Sequence, residues 1–140
     1  MDASQLAQDV ITQWADAIDL PGLAFDEDGI IELQLGGDLF ISLALDEPNL
    51  SITACAQVRP AIDDLSTTLV RRLLITNAKL QERDGPSFAV DPSTGCLVLQ
   101  LQIPLRGLVY SRFEYQVQAF VEAFEKSTGS LNELAPLTAN

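Results

Sequence analysis

The sequence contains no histidine, which excludes the Ser-His-Asp and Cys-His arrangements of nucleophilic catalysis. It has only two cysteines, Cys55 and Cys96, each inside a predicted strand. Their separation fits no zinc spacing, so we interpret them as buried thiols rather than as a disulfide or a metal site. Neither of the common glycine-rich phosphate loops occurs. Since no catalytic constellation remains, we predict a binding protein and not an enzyme.

Basic residues are also scarce, and they are unevenly placed. Eight Lys and Arg stand against twenty Asp and Glu, for a net charge of −12. Residues 1–58 hold eleven acidic side chains and no basic one. Binding of nucleic acid or anionic lipid needs clustered Lys and Arg, so we expect neither nucleic acid nor membrane as a partner. Two explanations of the acidity stay open, namely solubility and the steering of a basic partner.

Long apolar runs are missing as well. No stretch approaches the roughly 20 residues that span a bilayer, and the N-terminus lacks the basic and apolar regions of a secretion signal. We therefore expect a cytoplasmic protein. With 140 residues, 47% hydrophobic and 20% charged, the chain has the composition of one globular domain.

What the sequence does contain is clear periodicity. Residues 4–19 predict an amphipathic helix that begins at Ser4 or Asp2. Period-two alternation predicts strands over residues 31–35, 39–45, 50–58 and 96–105, with shorter strands at 23–25 and 87–90. Asp63 is the predicted N-cap of a second helix, and residues 111–126 predict a third. The order α-β-β-β-α-β-β-α predicts one α+β domain over residues 1–126, with helices on the apolar face of a mostly antiparallel sheet, followed by a loose tail at 127–140.

The strand residues that point away from the predicted core carry little charge. Of twelve such positions only Glu32 is charged, although the chain as a whole is strongly acidic. Interface cores are depleted of charge in this way, which favours a face covered by a twin subunit or a bound peptide. Strand propensity alone also favours Thr, Ser, Phe and Val at such positions, so both interpretations remain open.

Four segments of the sequence follow a known pattern of elements: LAFDEDG, LFISLAL, LSITACAQV and LLITNAKLQERDGPSFAVDPSTGCLVLQLQIPL. In these segments the chain resembles the class I type III secretion chaperones, the Tir chaperone family of small acidic bacterial proteins. The resemblance covers residues 4–126, with Gly85-Pro86 where the family often has two glycines. It implies a homodimer that holds the non-globular N-terminal segment of a secreted effector ready for export, with no cofactor.

The resemblance also implies a role for the second helix in the dimer. The residues predicted at the dimer contact are Leu65, Leu69, Arg72 and Leu73. The competing role for the same leucines is burial against the chain's own sheet. One apolar side of the helix cannot fully serve both roles. For contact with the effector, the predicted residues are Ile11, Ile18, Phe40, Val98 and Gln100.

Three other classes of function remain as alternatives. An acidic immunity or regulatory protein would bind and block one folded basic partner. A divergent enzyme would need a pocket of carboxylates that the sequence does not reveal, and a dimeric sensory domain could share the fold.

Overall fold

A computed structural model of the chain describes residues 2–36, 39–59 and 66–134. The elements follow the predicted order. They are α1 (Ala3–Ala17), β1 (Ile30–Leu35), β2 (Leu39–Asp46), β3 (Ser51–Arg59), α2 (Thr67–Gln81), β4 (Ser87–Val90), β5 (Leu97–Pro104) and α3 (Tyr110–Leu134). The five strands form one antiparallel sheet in the order β1-β2-β3-β5-β4, which confirms the predicted α+β class.

The core lies on one face of this sheet. The alternating residues of β5 from Leu97 to Ile103, and Leu105 just after the strand, are buried there together with their neighbours on β2 and β3. Helices α1 and α3 cover this face, and the ring of Trp14 packs edge-on against that of Phe113 at a centroid distance of 5.8 Å. The predicted one-sided core is therefore confirmed, because period-two alternation sends successive side chains to opposite faces.

Helix α1 begins where one of the two predicted caps stands. The carboxylate of Asp2 accepts a hydrogen bond from the backbone N–H of Gln5 at 2.8 Å, the bond of an N-cap. The helix ends at Ala17, before the predicted Asp19.

The short strand predicted at residues 23–25 is wrong, because among the described residues no strand pairs with this segment. The side-chain amide of Gln8 takes that place instead: it donates to the carbonyl of Leu23 at 3.1 Å and accepts from the N–H of Phe25 at 3.3 Å. One glutamine on α1 thus fixes the connection to β1 through two backbone groups.

Helix α2 begins later than predicted. The proposed cap, Asp63, lies outside the described residues, and the N-cap is Ser66, whose hydroxyl accepts from the N–H of Leu69 at 3.1 Å. The helix lies along the edge of β4, where Asn77 closes the open side of the strand. Its amide donates to the carbonyl of Phe88 at 3.2 Å and accepts from the N–H of Phe88 at 2.7 Å.

Helix α3 continues to Leu134 and so extends past the predicted end at Lys126 into the segment expected to be loose. Ser127 is buried, and its hydroxyl donates to the carbonyl of Ala123 one turn earlier. This bond gives the buried hydroxyl a partner within its own helix. Residues 135–140 of the predicted tail lie outside the described part.

Candidate protein-interaction surfaces

The first candidate surface is the sheet face opposite the core, which we call the outer face. The strand register brings Glu32, Ser42, Cys55, Gln100 and Ser87 into one row across all five strands. Helices α1 and α3 lie on the other side of the sheet and α2 lies along its edge, so the side chains of this row are exposed or half-buried. The outer face is thus a wide surface with one charged residue in its central row.

A hollow of about 580 Å³ lies on the outer face, and we call it the outer hollow. Phe40 of β2 borders it with 63% of its surface exposed, whereas Val98 of β5 lies in it and is only 8% exposed. Gln57 of β3 is paired with Val98, and Cys55 lines the hollow one row further along the same strand. The other lining residues are mixed: Leu33 and Ile41 are apolar, whereas Glu32, Gln34, Ser42 and Gln57 are polar. An exposed phenylalanine beside such a depression can take an apolar side chain from a partner, with polar groups at the margin.

The thiol of Cys55 is held in its neutral form. Partial burial raises its pKa, and the negative charge of Asp91 raises it further. A neutral thiol is a weak nucleophile, so Cys55 supplies a small apolar contact to the outer hollow rather than a reactive group.

The five residues predicted to contact an effector do not form one surface. Phe40 and Val98 meet at the outer hollow, and Gln100 lies one row further, directly opposite Cys55. Ile11 is 0% exposed within the core, and Ile18 is half-buried against it on the far side of the sheet. The geometry therefore joins three of the five, and the effector role of each of the five stays a prediction.

The second candidate surface is on α2. Leu69 is 3% exposed and belongs to the core, and Leu73 packs against the core, whereas Arg72 is exposed. Leu65 lies outside the described residues. Of the two roles that competed for the apolar residues of this helix, Leu69 and Leu73 serve the core.

A different set of α2 residues is both apolar and exposed, and none of them is among the residues predicted at the dimer contact. Val70, Leu74 and Ile75 form this set, which we call the α2 stripe, and Leu74 is 63% exposed. Residues four apart on a helix lie on the same side, so Val70 and Leu74 make one continuous apolar strip. The four-residue spacing of Val70 and Leu74 is visible in the sequence, but it does not show which apolar side of α2 faces the core.

The comparisons with known proteins bear on what these surfaces bind. The profile of the Tir chaperone protein (CesT) family matches residues 9–127, which is most of the chain. The chain belongs to the Tir chaperone protein (CesT) family. Its function is accordingly that of a type III secretion effector chaperone. No protein of curated function matches the sequence at a significant level.

Solved structures share the fold of this Tir-family chaperone over nearly its whole length. A chain of the ExsC–ExsE complex is 24% identical, with a TM-score of 0.77 over 99% of this chain and 100% of that one. A chain of the HopA1–SchA chaperone–effector complex is 14% identical, with a TM-score of 0.75 over 89% and 94%. A chain of the heterodimeric ExoU–SpcU complex, from the type III secretion system of Pseudomonas aeruginosa, is 16% identical, with a TM-score of 0.65 over 94% and 98%.

Among the described residues, no helix is long and apolar enough to cross a bilayer. The same part of the chain holds no cluster of three or more Cys, Asp or Glu side chains with the geometry of a metal site.

Proposed function

We propose that this chaperone acts as a homodimer in the bacterial cytoplasm and holds the non-globular N-terminal segment of a secreted effector in an extended, export-ready form. The observation that carries the proposal is the outer face, an open sheet surface with a single charge in its central row in a chain of net charge −12. Family membership and the solved complexes that share the fold support it.

The outer hollow is the proposed contact for the client. An extended segment presents alternate side chains to the surface on which it lies, and one apolar side chain would fill the space between Phe40 and Val98. Ordering a disordered segment costs free energy, so a pocket that buries apolar surface is needed to offset that cost. The acidic surroundings would also raise the association rate of a basic segment.

The α2 stripe is the proposed contact between protomers. A two-fold dimer places the same surface of both subunits against each other, so each apolar residue of the contact becomes buried in both protomers. Val70, Leu74 and Ile75 present apolar surface that the protomer itself leaves in water. We therefore assign the dimer contact to this side of α2 rather than to Leu69, which the core already uses.

The test is co-purification of the tagged chaperone from a bacterium with a type III secretion system, followed by limited proteolysis of the complex. The expected result is a protease-resistant fragment from near the N-terminus of one partner, with two copies of the chaperone per fragment. An intact folded enzyme bound one to one would instead favour an immunity or regulatory protein and contradict the proposal.

A matched pair of variants tests the outer hollow in the same complex. Phe40→Asp places a charge beside the hollow and is expected to weaken binding of the fragment at least tenfold. Val109→Asp changes an apolar residue of similar exposure, just before α3, and should leave binding unchanged. Equal binding by both variants would exclude the outer hollow as the client contact.

A further inference from the structure

A polar groove of about 580 Å³ lies apart from the outer hollow, between the C-terminal end of α2, the second half of β5 and the start of α3. Four glutamines line it, together with the exposed guanidinium group of Arg112. The glutamines are Gln81, Gln100, Gln102 and Gln116. Each glutamine offers both a donor and an acceptor, so the groove suits a ligand that has both, repeated over a short distance.

One wall of the groove is a stretch of strand edge. Strand β4 pairs only with the first half of β5, from Leu97 to Gln100. The second half, residues 101–104, pairs with β3 on one side. Within the described part of the chain, no strand pairs with its other side.

The backbone of Gln102 points into this open side. The N–H of Leu105 donates toward β3, to the carbonyl of Leu50 at 2.8 Å. The carbonyl of Cys96 accepts toward β4, from the N–H of Asp91 at 2.9 Å. Because backbone groups alternate in direction along a strand, the N–H and C=O of Gln102 face the groove.

The opposite wall holds a buried polar group without a partner. Gln116 on α3 is 5% exposed, and its Oε1 has no hydrogen-bond partner among the described residues. A buried acceptor without a donor is costly in free energy, and such groups in native proteins are rare. Arg112 stands one helical turn earlier on the same side of α3. The groove is therefore lined side by side by the acceptor Oε1 of Gln116 and the N–H donors of the Arg112 guanidinium.

We infer that this groove binds a short extended stretch of polypeptide, which adds as a strand to the second half of β5 and donates an amide N–H to Gln116. Peptide backbone is the ligand that alternates donors and acceptors at the spacing of a strand edge. At about 3.3 Å per residue, the edge from 101 to 104 takes about four residues of such a segment. The inference rests on the proposed function, since it assigns a second contact to the same client.

Amide hydrogen exchange of Gln102 tests the inference directly. The probe is a synthetic peptide with the sequence of the protease-resistant fragment, added to the ¹⁵N-labelled chaperone. In the free protein the amide of Gln102 is expected to exchange faster than those of Leu101 and Ile103, which face β3. Addition of the peptide is expected to slow exchange at Gln102 at least tenfold while the two neighbours stay slow.

A variant of Gln116 gives an independent measurement. Gln116→Leu removes the unpaired acceptor, so thermal stability should stay equal or rise, while affinity for the peptide falls about five- to tenfold. Gln13→Leu, an exposed change on α1, is the control and should leave affinity unchanged. A residue with only a structural role would move stability and affinity together.

The outcomes separate this inference from the proposed function. If the peptide binds but exchange at Gln102 and affinity of Gln116→Leu are unchanged, the groove holds only solvent and this inference alone is overturned. Protection of Gln102 in the free protein would mean that a second copy of the chain covers the edge, which also overturns it. If no fragment binds at all, the proposed function and this inference fail together.

Discussion

Replacement of Leu74 by aspartate is expected to separate the dimer while leaving the protomer folded. The side chain is 63% exposed in the protomer, so the folded monomer loses little when it becomes charged. In the proposed dimer the same side chain is buried in both copies. In the Leu74→Asp variant the dimer would lose the apolar contact of the leucine, and the aspartate carboxylate would have to leave water for the dimer to form.

The size of the effect follows from the exposed fraction. Full burial of a leucine side chain contributes about 1.5–3 kcal/mol. With 63% of Leu74 available for burial, each copy contributes about 1–2 kcal/mol and the two copies about 2–4 kcal/mol. Since about 1.4 kcal/mol corresponds to a factor of ten, the dissociation constant should rise roughly 30- to 700-fold.

Sedimentation velocity over a concentration series measures this constant, and urea unfolding followed by circular dichroism measures the fold. Leu69→Ala is the matched control on the same helix. Because Leu69 is 3% exposed in the core, this change should lower the free energy of unfolding by about 2–5 kcal/mol. The reasoning is refuted if Leu74→Asp dimerises as tightly as the wild type, or if the wild type sediments as a monomer throughout.

Three further predictions concern other parts of the chain. Asn77→Ala removes both bonds to the backbone of Phe88 and should lower the free energy of unfolding by about 1–3 kcal/mol in urea titrations; an unchanged midpoint would show that water replaces the amide fully. The N–H and hydroxyl of Ser93 donate to Asp91 and lower the pKa of that carboxylate, so its contribution to stability is complete above the unfolded pKa of about 3.9 and is lost as pH falls through the lower folded pKa. Asp91→Asn should therefore unfold with a shallower pH dependence below about pH 4 than the wild type, and parallel curves would contradict this. Burial raises the pKa of Cys55, so this thiol should react with a thiol reagent at pH 8 more slowly than the thiol of glutathione does. The reaction should become slower still when the client is bound, and equal rates with and without client would show that the client does not cover the outer hollow.

The strands could be predicted from sequence because one physical rule decides them. In β5 the alternation of leucine with glutamine fixes which side chains face the core, and neighbouring strands inherit the same orientation through their register. Phe40 and Val98 were found in this way, since both belong to the charge-poor set that points away from the core.

The partners of side-chain amides could not be predicted in the same way. Gln8 fixes residues 23–25 from another element, and Asn77 fixes Phe88 from a helix beside the sheet. Such bonds depend on where elements pack and not on any local period. The missing bond of Gln116 is invisible in the sequence for the same reason.

Helix α2 shows a second limit. It carries one apolar side with Leu69 and Leu73 and another with Val70 and Leu74, and both satisfy a helical period. Only the packing of α2 against β4 shows which side is inside. The sequence therefore predicts the helix of the proposed dimer contact, but two of the residues predicted there, Leu69 and Leu73, pack in the core.

The hydrogen bonds between Asn77 and Phe88 also limit how this sheet can grow. A fibre built by strand pairing needs two reactive ends on every unit, because each unit must accept one neighbour and offer a place to the next. A side-chain amide occupies the place of the next strand at the β4 end. Pairing through the β1 edge would join two units, and β4 of each unit offers no further place at Phe88. Within the described residues, the open place at this end of the sheet is the stretch of β5 from 101 to 104, and an edge of about four residues is short for open-ended strand pairing.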